Sequence, residues 1–394
     1  MSIMSASAQS STQKIAVIGG GVIGLATGWR LAAAGQTVTV FERGAAGRGA
    51  SWAAAGMLAA GSEVEPGENV LFALLKRSQD MWPGFADELR QASGIDPKLR
   101  TEGTLSIALT QDELGRLRQT HALQQKLGVN AVWLRREEAL EREPYLNPRL
   151  AGALYVPGDH QVENRRVVEA LRRAFAAAGG RLIEDAGDVG IKTAQGRVAG
   201  VTAAGVVYPA DTVIAAAGAW TPDIEGLPPI ARPPVRPVKG QMIALAMDSA
   251  APILSHVLWT QKAYLVPRRD GRLLIGATTE ERGFDATLTA GGMLSLLESA
   301  WRALPGVEEL PIVESWVGFR PGSRDDAPIL GRTPIEGLIL ATGHHRNGIL
   351  LAPITADAIS RLAMSGETDP SIAPFALDRF LAGKSERTNS WKSA

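Results

Sequence analysis

The chain contains no cysteine. That excludes disulfides, thiolate metal sites, cysteine nucleophiles and redox-active dithiols, and with them a flavin tethered through sulfur. Histidine is scarce: His121, His160, His256, His344 and His345 are the five present. None falls in an H-E-x-x-H or similar ligand spacing, so no metal is expected. Net charge is zero, with 41 basic and 41 acidic side chains. Nothing here points to a nucleic-acid partner. No apolar run reaches the ~18–20 residues that span a bilayer. Residues 1–13 lack the positive start and apolar core of a secretory leader. A soluble cytoplasmic protein is expected, with flexible tails at 1–13 and 384–394. At 394 residues the chain exceeds one ordinary core and suits two domains.

What is present is concentrated near the start. Ile15 to Gly19 reads as a buried strand, and Gly19, Gly21 and Gly24 follow at the spacing G-x-G-x-x-G. An amphipathic helix comes next, then a strand Thr37–Phe41 ending on Glu42. The first glycine permits the turn, the second admits a pyrophosphate, and the third lets helix and strand pack closely. The helix N-terminus attracts phosphate. Glu42 suits a ribose diol and would repel a 2′-phosphate. A glycine turn used only for packing is the plainer reading. The strand before, the helix after and the acid about twenty residues on favour a dinucleotide instead. The motif alone does not separate NAD from FAD.

Residues 44–61 are nearly all small, which suits backbone lying against a flat cofactor. Met57 is the bulky exception. One or two helices are expected over 69–92, and a helix from Thr110, where Thr110 and Glu113 form a capping box. A helix is expected over 163–178. Strand-like runs follow at 181–184, 198–201, 206–208 and 212–216, the last ending near Gly218. A proline-rich crossover, 227–238, leads into runs at 242–245, 258–260, 263–267, 273–277 and 312–320, with a hairpin turn at Asp270–Gly271. A strand 338–342, a glycine-containing loop 343–348 and a helix 349–363 close the pattern. The fold class is α/β plus α+β: a Rossmann-like domain on a parallel sheet (14–90, 150–226 and 321–380) and a second domain on an antiparallel sheet (91–149 and 227–320).

These pieces, with GASWAAAGM at 49–57, PVKGQ at 237–241, SWVGFRPGS at 315–323 and ATGHHRNGILLAP at 341–353, resemble the FAD-dependent D-amino acid oxidase/sarcosine oxidase superfamily, and within it the glycine oxidase branch that feeds thiamin thiazole synthesis. The resemblance runs in order over about residues 14–380. It implies noncovalent FAD. Val22, Ile23, Glu42 and Arg43 would hold the ADP half, with Asp188 or Val189 at the adenine. Ala50, Ser51, Ala55, Gly56 and Met57 would line the ring system. His344, His345, Arg346, Asn347, Gly348, Ile349 and Leu350 would bring backbone N–H groups to the pyrimidine end.

The resemblance also implies substrate residues. Arg320 matches an arginine that forks onto an amino acid carboxylate, which a planar bidentate donor fits better than lysine does. Tyr264 matches a tyrosine reaching the same group, and Arg346 a second arginine at the substrate. Lys262 departs from the pattern, standing where a histidine can occur. Without the resemblance these residues read as a strand end, a core aromatic and a salt-bridged cap. The implied reaction is oxidative deamination of glycine, small D-amino acids or N-methyl amines, with dioxygen as acceptor, in a homotetramer. The rivals are a D-amino acid dehydrogenase passing electrons to quinone, an oxidase of sarcosine or cyclic amines, and a noncatalytic flavin-binding subunit.

Overall fold

A computed structural model describes residues 12–380. The first strand, Lys14–Ile18, lies inside a six-stranded sheet. In spatial order the sheet runs Ile329–Arg332, Leu338–Thr342, Thr212–Ala215, Lys14–Ile18, Thr37–Phe41 and Arg181–Ile183. All neighbours pair in parallel except the edge strand Ile329–Arg332. A parallel sheet needs cover on both faces. One face carries the helices Val22–Ala33, Asn164–Ala177, Asn69–Ser93 and Ala352–Ser365. Val22–Ala33 is buried almost all round because these helices surround it, and Leu25 and Leu31 are fully enclosed. Each such leucine contributes about 1.5–3 kcal/mol by burial. The other face carries a three-stranded meander, Val189–Ala194, Arg197–Ala203 and Val206–Pro209.

The second sheet has eight strands, in the order Ile312–Gly322, Arg236–Ala246, Arg272–Gly276, Tyr264–Pro267, Val257–Trp259, Thr104–Ala108, Gly152–Val156 and Val132–Leu134. Its pairs are antiparallel except Val257–Trp259 with Thr104–Ala108. Helix Ala290–Ala303 covers one face through Leu296, Ala300 and Ala303.

Several boundaries differ from the sequence reading. The strand expected at 242–245 begins at Arg236, inside the proline-rich stretch. Pro237 stands opposite Pro321, so neither missing N–H breaks the ladder. Asn69–Ser93 is one helix with Pro83 inside it. The strand Val189–Ala194 was not expected: its three buried residues are followed by three exposed ones, and no alternation marks it. The capping box is half made: Thr110 Oγ1 accepts from the Glu113 N–H at 3.2 Å, but the Glu113 carboxylate accepts from the Leu109 N–H at 2.6 Å and not from Thr110. Gln13 is fastened rather than flexible. Its N–H donates to Gln36 Oε1 at 2.8 Å and its carbonyl accepts from Thr37 at 3.0 Å. Residues 1–11 and 384–394 of the expected tails lie outside the described residues. Among the described residues no helix is long and apolar enough to cross a membrane.

Candidate functional site

A cavity of about 1170 Å³ runs from the end of the first strand to the inner face of the eight-stranded sheet. At its first end Gly19 has φ +109°, and a Cβ there would stand 2.4 Å from the Ala216 carbonyl oxygen. Only glycine fits that turn. Gly24 faces away from the cavity, and its Cβ would stand 1.9 Å from the Gly19 oxygen. Its role is the close packing of helix on strand. Gly21, Val22 and Ile23 line the cavity. The Val22 N–H, at the start of its helix, donates to Ser51 Oγ at 2.9 Å.

Glu42 also lines the cavity. Its carboxylate accepts from the Gly20 N–H at 2.8 Å and the Gly44 N–H at 3.2 Å, which fixes the glycine turn as well as presenting an acid. The Arg43 guanidinium lies 4.2 Å over the Trp220 ring. Asp188, Val189 and Gly218 complete this end, while Ala50, Ser51, Ala55, Gly56 and Met57 form a wall of small residues with one bulky member.

The returning loop is only partly as expected. His345, Arg346, Gly348 and Ile349 line the cavity; His344, Asn347 and Leu350 do not. His344 is buried against Thr355 Oγ1 at 3.1 Å, and burial pushes its pKa down to about 3. The Asn347 N–H is taken by the His344 carbonyl, and the Leu350 carbonyl accepts from Trp82 Nε1 and Ser78 Oγ on the far side. The regular helix begins at Ala352, not at 349. A short 3-10 turn, His345–Asn347, and then Gly348 and Ile349 therefore meet the cavity instead.

At the other end stand Arg320, Tyr264, Arg346, Met57 and Lys262. Arg320 extends from the edge strand over Gly240 of its neighbour, where a Cβ would stand 2.6 Å from Arg320 Nη1. That nitrogen donates to the Thr278 carbonyl at 3.1 Å. Among the described residues no carboxylate lies within ion-pair distance of Arg320. Beside it, burial pushes the Tyr264 hydroxyl pKa up, opposed by Arg320. Tyr264 meets Met242 Sδ at 3.4 Å and the Trp259 ring edge-on. Trp259 Nε1 is buried with no partner, an orphaned donor in the lining. Lys262 is exposed at the rim.

The lysine of PVKGQ works behind the site. Lys239 is wholly buried, and its Nζ holds the Thr287 carbonyl at 2.6 Å and Asp285 Oδ2 at 3.3 Å. This ties the 278–289 loop, which carries the Thr278 acceptor, to the strand bearing Gly240.

Arg346 is not free. Its Nε lies 3.0 Å from Glu63 Oε2, and its Nη2 lies 3.0 Å from Glu65 Oε1 and 3.5 Å from Glu68 Oε2. The plainer reading of Arg346 as an ion-paired residue therefore describes its guanidinium in this structure. Glu63 escaped the sequence reading. It lines the cavity, and burial raises its pKa to about 7 against the opposing charge of Arg346, with Asp159 adding to the rise and Arg320 countering it. The signal was the run of acids at 63, 65 and 68, which no local motif ties to an arginine nearly three hundred residues away.

The arrangement fits FAD. A glycine cradle opens at a helix N-terminus, and a wall of small residues follows along the cavity. The comparisons agree. The family model for FAD dependent oxidoreductases, DAO, matches residues 14–362. The chain is 38% identical over 371 residues to glycine oxidase of Geobacillus kaustophilus, covering 93% of this chain and 97% of that one. The crystal structure of that glycine oxidase superposes with TM-score 0.85, covering 93% of this chain and 99% of the other. Glycine oxidase of Pseudomonas putida is 37% identical over 93% of this chain and 98% of its own length. A bifunctional ThiO/ThiG protein of Synechocystis is 37% identical over 94% of this chain but 54% of its own length. With the family model matched over most of its length, the chain belongs to the DAO family of FAD-dependent oxidoreductases.

Proposed function

We propose that this FAD-dependent enzyme oxidatively deaminates glycine, and with it small D-amino acids or N-methyl amines. One observation carries the reading: Arg320, seated over Gly240 beside Tyr264, reaches the cavity without a carboxylate partner among the described residues. A fork-shaped cation in that setting suits a substrate carboxylate, worth about 1.5–3 kcal/mol as a charged hydrogen-bonded contact. Tyr264 and the Trp259 N–H add donors. Arg346 and Met57 bound the substrate space, and Lys262 sets the charge at its mouth.

On this reading Gly19, Gly21, Val22, Ile23, Glu42 and Arg43 hold the ADP half of FAD, with Asp188, Val189 and Gly218 beside it. Residues 50–57, His345, Gly348 and Ile349 surround the ring system. Gly24, His344, Asn347 and Leu350 shape the site from behind. FAD held there would supply a two-electron oxidation of the substrate Cα–N bond, with dioxygen as the final acceptor and hydrogen peroxide as the by-product. The protein's own residues fix the carboxylate, align the Cα–H bond and exclude bulkier side chains. The imine then hydrolyses to the oxo acid and ammonia, or enters thiamin thiazole synthesis as the resemblance implies.

A homotetramer in the cytoplasm belongs to the same reading. Exposed Leu294, Trp301, Ile312 and Val313 offer apolar surface for subunit contact. The two-domain division is part of this reading too, with Gly152–Val156 on the substrate side because it pairs in the eight-stranded sheet.

The test is peroxide production by the FAD-loaded protein from glycine, sarcosine, D-alanine and D-proline, with the L-forms as controls. Peroxide from the first three supports the proposal. Anaerobic bleaching of the flavin without aerobic peroxide favours the dehydrogenase.

A further inference from the structure

Glycine at neutral pH is a zwitterion, and its ammonium nitrogen has no lone pair to assist loss of hydride from Cα. One proton must leave before oxidation. No residue in the proposed reading above, on which this inference rests, receives it.

We propose that Glu63 takes that proton: the substrate N–H bond breaks, the proton passes to the Glu63 carboxylate, and the nitrogen keeps the electron pair. Glu63 then returns the proton to solvent as product leaves.

The carboxylate is built into its place. Asp159 accepts from the Gly61 and Ser62 N–H groups, each at 2.9 Å, which fixes the chain just before it. The Glu63 N–H donates to Ala59, and its carbonyl accepts from Arg346 Nη2 at 3.2 Å. The side chain keeps 11% of its surface exposed and lines the cavity shared with Arg320 and Tyr264. Its buried Oε2 is held in the ion pair with Arg346 Nε at 3.0 Å, which fixes the carboxylate at the cavity wall. Glu63 and Arg320 line one cavity and form no ion pair with each other among the described residues; in the proposed pose the substrate carboxylate sits at Arg320 and its ammonium at Glu63.

The titratable and charged groups facing Glu63 are Arg346, Asp159, Arg320 and Tyr264, with Glu65 and Glu68 on its own segment. His345 is neutral, since burial and then Arg346 push its pKa down to about 3. Burial leads the sum and lifts Glu63 to about 7, near the pH at which a proton acceptor works best.

The test compares wild type, Glu63→Gln, Glu63→Asp and Glu65→Gln, all loaded with FAD. In wild type, kcat/KM for glycine should rise with pH through about 7 and level off. In Glu63→Gln it should fall by roughly 10²–10⁴-fold at neutral pH, and its rise should move up to the ionisation of the substrate amine. Glu63→Asp should recover part of the rate and the lower limb. Glu65→Gln, which removes a second partner of Arg346 but leaves the Glu63 carboxylate, should keep the rate within a few-fold and retain the lower limb, moved slightly down by the loss of a neighbouring negative charge. A second readout needs no turnover. Acetate carries a carboxylate and no ammonium, so its binding, followed by flavin absorbance, should weaken as pH rises through about 7 in wild type and stay flat in Glu63→Gln. An unchanged pH profile in Glu63→Gln, or the same acetate titration in both proteins, overturns the proposal. Wild type that fails to oxidise any amine on the panel overturns the deamination reading instead.

Discussion

Arg268 Nη2 donates to the Ala55 carbonyl at 2.6 Å, joining the hairpin of the eight-stranded sheet to the small-residue wall of the cavity. The same guanidinium donates to the Val162 carbonyl at 2.7 Å and to Gln161 Oε1 and Asn164 Oδ1 at 3.1 Å each. Burial lowers its pKa to about 10, which leaves it charged at neutral pH. Arg268→Met should therefore strand several buried acceptors and leave Glu163 with Arg272 as its remaining ion-pair partner. A loss of about 3 kcal/mol is expected. On heating, flavin fluorescence should appear several degrees earlier than in wild type, because the wall at 50–57 loses its tie.

Gly24→Ala tests the packing role of the third glycine. Gly24 does not line the cavity, yet its Cβ would overlap the Gly19 carbonyl, the turn on which the cofactor end depends. The methyl should push helix from strand and cost about 1–3 kcal/mol or more. Purified protein should hold substoichiometric FAD, read from the ratio of visible to ultraviolet absorbance. Full occupancy would mean that helix and strand separate without disturbing the turn.

Much of this site was readable from the chain because it is local. Gly19, Gly21, Glu42 and the strand–helix–strand around them lie within thirty residues, and the hairpin at Asp270–Gly271 is set by its own turn. What escaped is nonlocal. Gly240 makes room for Arg320 only because the two strands pair in one register. Glu63 meets Arg346 only after the chain has folded back across the sheet. The Ala352 helix start was misplaced because Gly348 already has helical φ and ψ before the regular ladder begins.

Asp369 gives a pH-dependent stability. Its pKa is lowered to about 2; burial works against this, while Ser371 and Arg77 hold the charged form. Oδ1 lies 3.0 Å from Arg77 Nη1, and Oδ2 lies 3.3 Å from Arg361 Nη1. A carboxyl held below its unfolded value contributes stability that is present above the unfolded pKa and lost as pH falls through the folded one. Asp369→Asn should lower the melting temperature at pH about 7, and its gap from wild type should narrow between pH about 4 and about 2. A gap independent of pH would mean that packing, not charge, holds the last helix to Arg77.

Arg320→Ala should leave the fold and the FAD in place, since the side chain donates to the Thr278 and Lys239 carbonyls at the cavity edge and not to the core. Loss of a charged, forked contact worth about 1.5–3 kcal/mol should raise KM for glycine by roughly 10–10²-fold. Arg320→Lys should recover little, because a single ammonium cannot span both carboxylate oxygens. Binding of acetate should weaken in parallel with KM, which separates loss of the carboxylate contact from a change in the chemical step. A near-normal KM in Arg320→Ala with full FAD would move the carboxylate elsewhere, and Arg346 would then have to release Glu63 to receive it.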